Sequence, residues 1–455
     1  MLTSPTRRLS DRPARRPRLN GSPRVELLEG RALMTLSPLN LAGAMSAPPV
    51  AFGDYLYFPM NNGVAGDELW RTDGTAAGTT MVKDLRPGTL GSVPRNFTVA
   101  GDTMYFTANN GTNGTELWKT NGTAAGTAMV KDLVAGKSSA SPRELTAAGD
   151  LVYFVSFVPN MGYELIRSDG TDAGTYNVKD IAPGLTGSYP TSLVAVGSSV
   201  YFYATTAGEG TEPWKSDGTA AGTTLVGDIV PGTGSSHPRS LAAMGSTLYF
   251  TASTSATGRE LWKSDGTAGG TMVVKDIMPG SASATPFNLT EMGGSLYFTA
   301  DDGVNGIELW KSDGTAAGTA MVSNIHASGS SSPGSITVAG STMYFTANNG
   351  IVGTELWKSD GTAAGTALVK DINPGPSGSS ISELTSNGTG VAFSAFTPST
   401  GIEPWRADST GASMIADVIP GSLGSAPRYT TFVGPIEFFF SSADSINPNR
   451  LWKKL

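Results

Sequence analysis

One twelve-residue stretch recurs so regularly that it confines the chain to repeat architectures. Glu308-Leu309-Trp310-Lys311-Ser312-Asp313-Gly314-Thr315-Ala316-Ala317-Gly318-Thr319 returns without change at 355–366. Near-copies begin at Glu68, Glu116, Glu164, Glu212, Glu260 and Glu403. Successive glutamates stand 48, 48, 48, 48, 48, 47 and 48 residues apart, and a degenerate ninth copy starts at Arg450. A constant period of this size means that each unit is one supersecondary element stacked on its neighbours.

The unit from Ser240 to Gly280 reads as four strands. Its runs are Ser240–Met244, Thr247–Ala252, Glu260–Lys263 and Met272–Ile277, and Gly245, Asp265-Gly266 and Pro279-Gly280 punctuate them. Short β-branched and aromatic runs between turn signals argue an all-β repeat. Each run holds adjacent apolar residues, such as Tyr249-Phe250 and Leu261-Trp262. A half-exposed strand would alternate. Neighbouring apolar residues point to both faces, so both faces must be covered, as they are in a closed β-propeller of four-stranded blades. The ninth unit ends at its third strand, and counting back one repeat from the fourth-strand run that starts at Met81 places a fourth strand at 33–36. The termini are complementary. The expectation is nine blades, the N-terminal strand completing the last; eight blades with a loose extra unit, and then an open solenoid, are the alternatives.

Composition fits this reading. Among 455 residues there are 58 Gly and no Cys. Disulfides, Cys-ligated metals and thiol nucleophiles are excluded. The formal net charge is −7. Residues 1–31 hold eight Arg and three acids, a balance of +5, which leaves −12 for the rest. An acidic body argues against nucleic acid, and no apolar run is long enough to span a bilayer. The division is a disordered Arg/Pro-rich segment at 1–32 followed by the propeller at 33–455. Arg7-Arg8 is not followed by an apolar stretch, which argues against a twin-arginine or ordinary secretory signal.

The residues Leu28, Glu29, Arg31 and Leu33, with Met34 in place of a second Leu, resemble the N-terminal sorting motif of planctomycete surface and secreted proteins. The repeat itself carries Leu296-Tyr297-Phe298-Thr299-Ala300-Asp301-Asp302-Gly303, Gly306, Glu308-Leu309-Trp310, Asp313-Gly314-Thr315 and Gly318-Thr319. In these residues the chain resembles the ELWxxDGT-repeat family of bacterial surface and secreted proteins, over about residues 50–455. The resemblance implies an extracellular or cell-surface β-propeller and no known reaction. Departures are Ile166 for Trp, Asn121 for the turn Asp, Asn324 for the fourth-strand Asp, Ser409-Thr410 for Gly-Thr, and Arg450 for Glu.

Three sets of recurring side chains are candidates for chemistry. Trp70, Trp118, Trp214, Trp262, Trp310, Trp357, Trp405 and Trp452 are all the tryptophans, and all sit in third strands. Burial favours an inter-blade core with indole N–H groups bonded to backbone over sugar-stacking platforms. Asp73, Asp169, Asp217, Asp265, Asp313, Asp360 and Asp408 precede Gly or Ser, where a carboxylate caps its own turn. Calcium is the competing use of Asp313 and of the denser pair Asp301 and Asp302, since calcium takes carboxylate and carbonyl oxygens. The repeated glutamates and the fourth-strand acids, such as Asp84 and Asp276, read as cross-strand Glu–Lys pairs or turn bonds. His237 and His326, the two histidines, occupy different registers and make no triad. No catalytic, cofactor or metal residue is assigned.

The resulting expectation is a non-enzymatic extracellular or cell-surface binding and scaffold propeller, a monomeric ring taking a protein or glycan ligand through its loops. A polysaccharide-acting enzyme and a calcium-stabilised adhesin are the alternatives.

Overall fold

A computed structural model describes residues 36–41, 43–441 and 450–454. Among these there is no helix, and none long and apolar enough to cross a membrane. The sheets are nine blades in a ring, each an antiparallel meander of four strands, so the protein is a nine-bladed β-propeller. Blade six is typical, with strands Phe287–Met292, Ser295–Asp301, Ile307–Ser312 and Ala320–Ser323. First strands of successive blades touch one another and ring the axis. Blade one carries an additional two-residue strand, Ala44–Met45, paired with Tyr55–Asn61.

The core lies between blades. From blade five come Tyr249, Leu261, Val274 and Ile277; from blade six come Leu296, Phe298, Ala300 and Trp310. Tyr249 and Phe298 belong to equivalent Tyr-Phe pairs whose members face opposite sides of a strand, so blades one to seven each contribute to two clusters. At about 25 cal/mol per Å² of apolar surface, no single blade can bury enough to stand alone.

Closure follows the complementary termini, with a shift. Blade nine comprises Arg428–Val433, Ile436–Ser441 and Arg450–Lys454, and its fourth strand is Leu36–Asn40. The register runs from Leu36 opposite Lys454 to Asn40 opposite Arg450. The expected strand at 33–36 is corrected to 36–40; Leu33, Met34, Thr35 and the segment 1–32 lie outside the described residues. Leu39 enters the cluster that joins Phe438, Phe440 and Leu451 to Leu56, Phe58 and Met60 of blade one. Lys453 Nζ then donates to the Asp73 carbonyl at 3.3 Å, across the same junction.

Blade nine has no turn from third to fourth strand, because its fourth strand comes from elsewhere in the chain. The Leu296–Ser312 cross-strand pair of blade six becomes Glu437–Lys454, both buried. Burial pushes the Glu437 carboxyl up, opposed by Lys454, and pushes the Lys454 ammonium down.

Removing residues 1–40 leaves the edge of Arg450–Lys454 unpaired and strips Leu39 from the junction. The melting temperature is expected to fall by several degrees and self-association through the open edge to rise. Calorimetry with light scattering checks this. An unchanged melting temperature and a monodisperse monomer would sink the strand-closed ring.

Candidate functional site

The polar letters of the recurring stretch have mechanical duties. Glu308 is fully buried and accepts four hydrogen bonds from the linker to the next blade: Ile325 N at 3.0 Å, His326 N at 3.2 Å, Ser331 N at 3.0 Å and Ser331 Oγ at 2.6 Å. Lys311 Nζ donates to the Gly361 carbonyl of blade seven at 3.0 Å. Ser312 Oγ meets Thr319 Oγ1 at 2.7 Å and ties the ends of the turn. Asp313 Oδ1 accepts from Thr315 N at 2.8 Å and Thr315 Oγ1 at 2.7 Å. Gly314 is left-handed at φ +89°, and a Cβ there would lie 2.2 Å from the Tyr249 hydroxyl of the preceding blade.

The expected Glu–Lys pairs do not form. The glutamates take backbone N–H groups, and the lysines reach carbonyls of the next blade, as Lys275 Nζ does to Thr319 O at 2.8 Å. A buried carboxylate satisfied by several donors is stable without a cation. Three fourth-strand acids make turn bonds: Asp132, Asp228 and Asp276 accept from the amides of Gly136, Gly232 and Gly280 at 3.4, 3.2 and 3.3 Å.

The tryptophans lie between blades, but their indole nitrogens differ from expectation. Trp118 Nε1 donates to Ala108 O at 3.0 Å. The indole N–H groups of Trp70, Trp214, Trp262, Trp310, Trp357, Trp405 and Trp452 are buried without a partner among the described residues. Asp73, Asp169, Asp217, Asp265, Asp360 and Asp408 hold the threonine two residues on, as Asp313 does. Asp301 accepts from Gly303 N, and Asp302 accepts from the Val304 and Asn305 amides. Among the described residues no three His, Asp or Glu side chains gather as a metal-ligand group.

What sequence reasoning missed is the face carrying the linkers between blades. Just before or within the first strand of blades two to nine, two non-glycine residues adopt left-handed φ, for example Ser141 at +51° and Glu144 at +55°, flanking Pro142 and Arg143. The first strand bulges there, with its register shifting between Arg143 and Thr146. Bulges of this kind re-aim side chains. Glu144 thus reaches blade four, accepting from Thr191 Oγ1 at 2.8 Å and Leu193 N at 3.4 Å. The signal in the sequence is the Pro that recurs before the first strand, at Pro94, Pro142, Pro190, Pro238, Pro286, Pro333 and Pro427.

The first-strand start carries Arg95, Arg143, Arg239 and Arg428 in four blades, all on this linker face. Between blades two and three lies a cleft of about 550 Å³ lined by Arg86, Arg95, Asn96, Thr107, Pro142 and Arg143. Arg95 pairs with Asp67 at 3.3 Å, and Arg143 stacks over Tyr163 at 4.2 Å. The matching cleft between blades six and seven, about 400 Å³, presents Phe287 and Ile307 and no arginine. The same fold position is therefore basic in one place and apolar in another.

No protein-family model and no curated protein matches the chain. Solved structures do match: a puromycin hydrolase (14% identity, TM-score 0.40, 78% of this chain and 59% of that one), a puromycin-hydrolyzing peptidase from Mycobacterium tuberculosis (14%, 0.40, 77% and 58%), and oligopeptidase B from Leishmania major (13%, 0.44, 89% and 54%). The chain thus spans somewhat over half the length of the structures it matches. These neighbours are peptidases, and on that finding the expectation of a non-enzymatic binding and scaffold propeller is withdrawn. At such identity and TM-score the likeness transfers no residue, substrate or reaction to this chain.

The buried glutamates give a pH test. In six blades the linker offers a serine hydroxyl, such as Ser188 Oγ to Glu164 at 2.6 Å. Glu116 and Glu260 meet Ala140 and Ala284 instead, and burial pushes both up to about 7. A raised carboxyl binds more protons folded than unfolded between about 4.5 and 7, so stability falls as pH rises through that window. Introducing the hydroxyl as A140S and A284S is expected to add about 1 kcal/mol per site near neutral pH. It should also narrow the gap between melting temperatures at about pH 5 and about pH 8. A gap unchanged from wild type would refute this role for the two carboxyls.

Proposed function

We propose that the linker face recognises an anionic chain, a carboxylated or sulfated polymer, through arginine-lined clefts between blades. The observation that carries this reading is the cleft between blades two and three. Three arginines share it, and among the described residues only Arg95 has an ion-pair partner. Arg143 is held over Tyr163 with donors left for an acceptor. A guanidinium suits this duty because its planar fork binds carboxylate and sulfate oxygens in pairs. Concentrating positive charge on one face of an acidic ring also localises the anion there.

The Glu-Leu-Trp and Asp-Gly-Thr signature supports grouping the chain with ELWxxDGT-repeat proteins. An exported location is part of the proposal and rests on the resemblance at Leu28–Met34.

Titration of the chain with dextran sulfate and with polygalacturonate, with chromatography of the products, tests the reading. Saturable, salt-sensitive binding is expected. The double variant Arg86→Met, Arg143→Thr, which borrows Met278 and Thr191 from the same positions of other units, is expected to lose about tenfold in affinity. Chain shortening in the same samples would add turnover to recognition. No binding of either polymer, or undiminished binding by the double variant, would overturn the proposal.

A further inference from the structure

Blade four departs from its siblings at one buried position. The second-strand residue after Tyr-Phe is Thr107, Thr251, Thr299 or Thr346 in four blades, and Pro59, Val155, Ser394 or Phe440 in four others. In blade four it is Tyr203, 3% exposed. Its hydroxyl has no hydrogen-bond partner among the described residues. A buried orphan hydroxyl is costly and calls for an acceptor.

Tyr203 points toward blade five, on the same strand face as Tyr201, which abuts Gly266 there. Two arginines of blade five converge on this place. Arg239 is the cross-strand partner of Thr251. Arg259 Nη1 donates to Thr251 Oγ1 at 3.4 Å and to the His237 carbonyl at 2.8 Å. Arg259 is itself a departure: its position holds Thr115, Thr211 and Thr354 in three blades and Tyr163, beneath Arg143, in another. Neither Arg239 nor Arg259 forms an ion pair among the described residues. The nearby acid, Glu144, is occupied by Thr191 and Leu193. Burial and then Arg239 hold the Arg259 guanidinium below its usual range. Burial pushes the Tyr203 hydroxyl far up, opposed by Arg259 and Arg239, so it remains a proton donor.

We propose that Tyr203, Arg239 and Arg259 form an oxyanion site at the junction of blades four and five, binding a single carboxylate or sulfate group. Two like charges and an unsatisfied hydroxyl meet where four other blades have a threonine, and no other unit carries arginine at both of these positions. One anion resolves all three: it accepts from the Tyr203 hydroxyl, engages both guanidinium groups and removes their repulsion. The site rests on the polyanion reading above and deepens it, because it fixes one acidic group of the bound chain. Its basicity is intrinsic, so it also takes the free anion.

The full chain is titrated calorimetrically with sodium sulfate and, separately, sodium acetate, at ionic strength held constant with chloride. Saturable binding of one anion is expected, and the anion that binds identifies the ligand group as sulfate or carboxylate. Tyr203→Phe removes only the hydroxyl and is expected to weaken binding about tenfold. Arg259→Thr installs the residue of blades two, four and seven and is expected to abolish saturation while leaving the melting temperature in chloride unchanged or raised. Absence of saturable heat with both anions, or equal affinity in the two variants, overturns the site. If small anions bind and neither polymer does, the site stands and the polyanion reading fails. If a polymer binds and no small anion does, the polyanion reading stands and the site fails.

Discussion

In blades one to eight a buried glutamate at the start of the third strand holds the blade to the linker of the next. Its carboxylate collects backbone N–H groups from both ends of that linker, and in six blades a serine hydroxyl as well. The arrangement is economical because linker amides such as those of Leu85, Ile181 and Ile277 lie outside the blade ladders and find their acceptor in the carboxylate. With the linker fixed, the next first strand begins at a set place beside the axis. The left-handed residues, the Pro between them and the arginines that follow inherit their positions from that anchor.

The repeat and its exceptions divide the labour. Where the units agree, the side chains are spent on the fold: glutamate on the linker, tryptophan between blades, lysine on the next carbonyl, aspartate on its own turn. Where they disagree, the fold is not what is being served. Arg86 and Arg143 make one cleft basic while its counterpart at Phe287 is apolar. Tyr203 and Arg259 place a hydroxyl and a charge where threonine suffices elsewhere. Glu437–Lys454 is the exception with a structural cause, since it stands where the turn is absent.

The architecture was largely legible in the sequence. The 48-residue spacing and adjacent apolar pairs such as Tyr297-Phe298 state period and two-sided burial directly, and the unfinished ninth unit announces closure. The exact closing strand was less so, because 33–36 and 36–40 are both short mixed runs that differ only in which apolar residues reach the junction; Leu39 decides it. The glutamates were misassigned because a periodic acid near a periodic lysine looks like a pair in one dimension. In space the acid turns to amides 15 to 24 residues on, and the lysine to the next blade. The candidate site was hidden for a different reason. Backbone inversion at Glu144 or Ser240 leaves no mark in residue type, and Tyr203 looks like one more aromatic in an apolar strand.

The glutamate anchor is the claim on which the rest stands, and amide hydrogen exchange reads it directly. If the carboxylates bind the linkers, the amides of Leu85, Ser92, Ile181, Ser188, Ile277 and Ile372 exchange as slowly as those in the central strands, despite lying outside any sheet. Glu164→Gln would speed exchange at Ile181 and Ser188 while leaving Leu85 and Ser92 protected. Fast exchange at all of these amides in the wild-type chain would contradict the account.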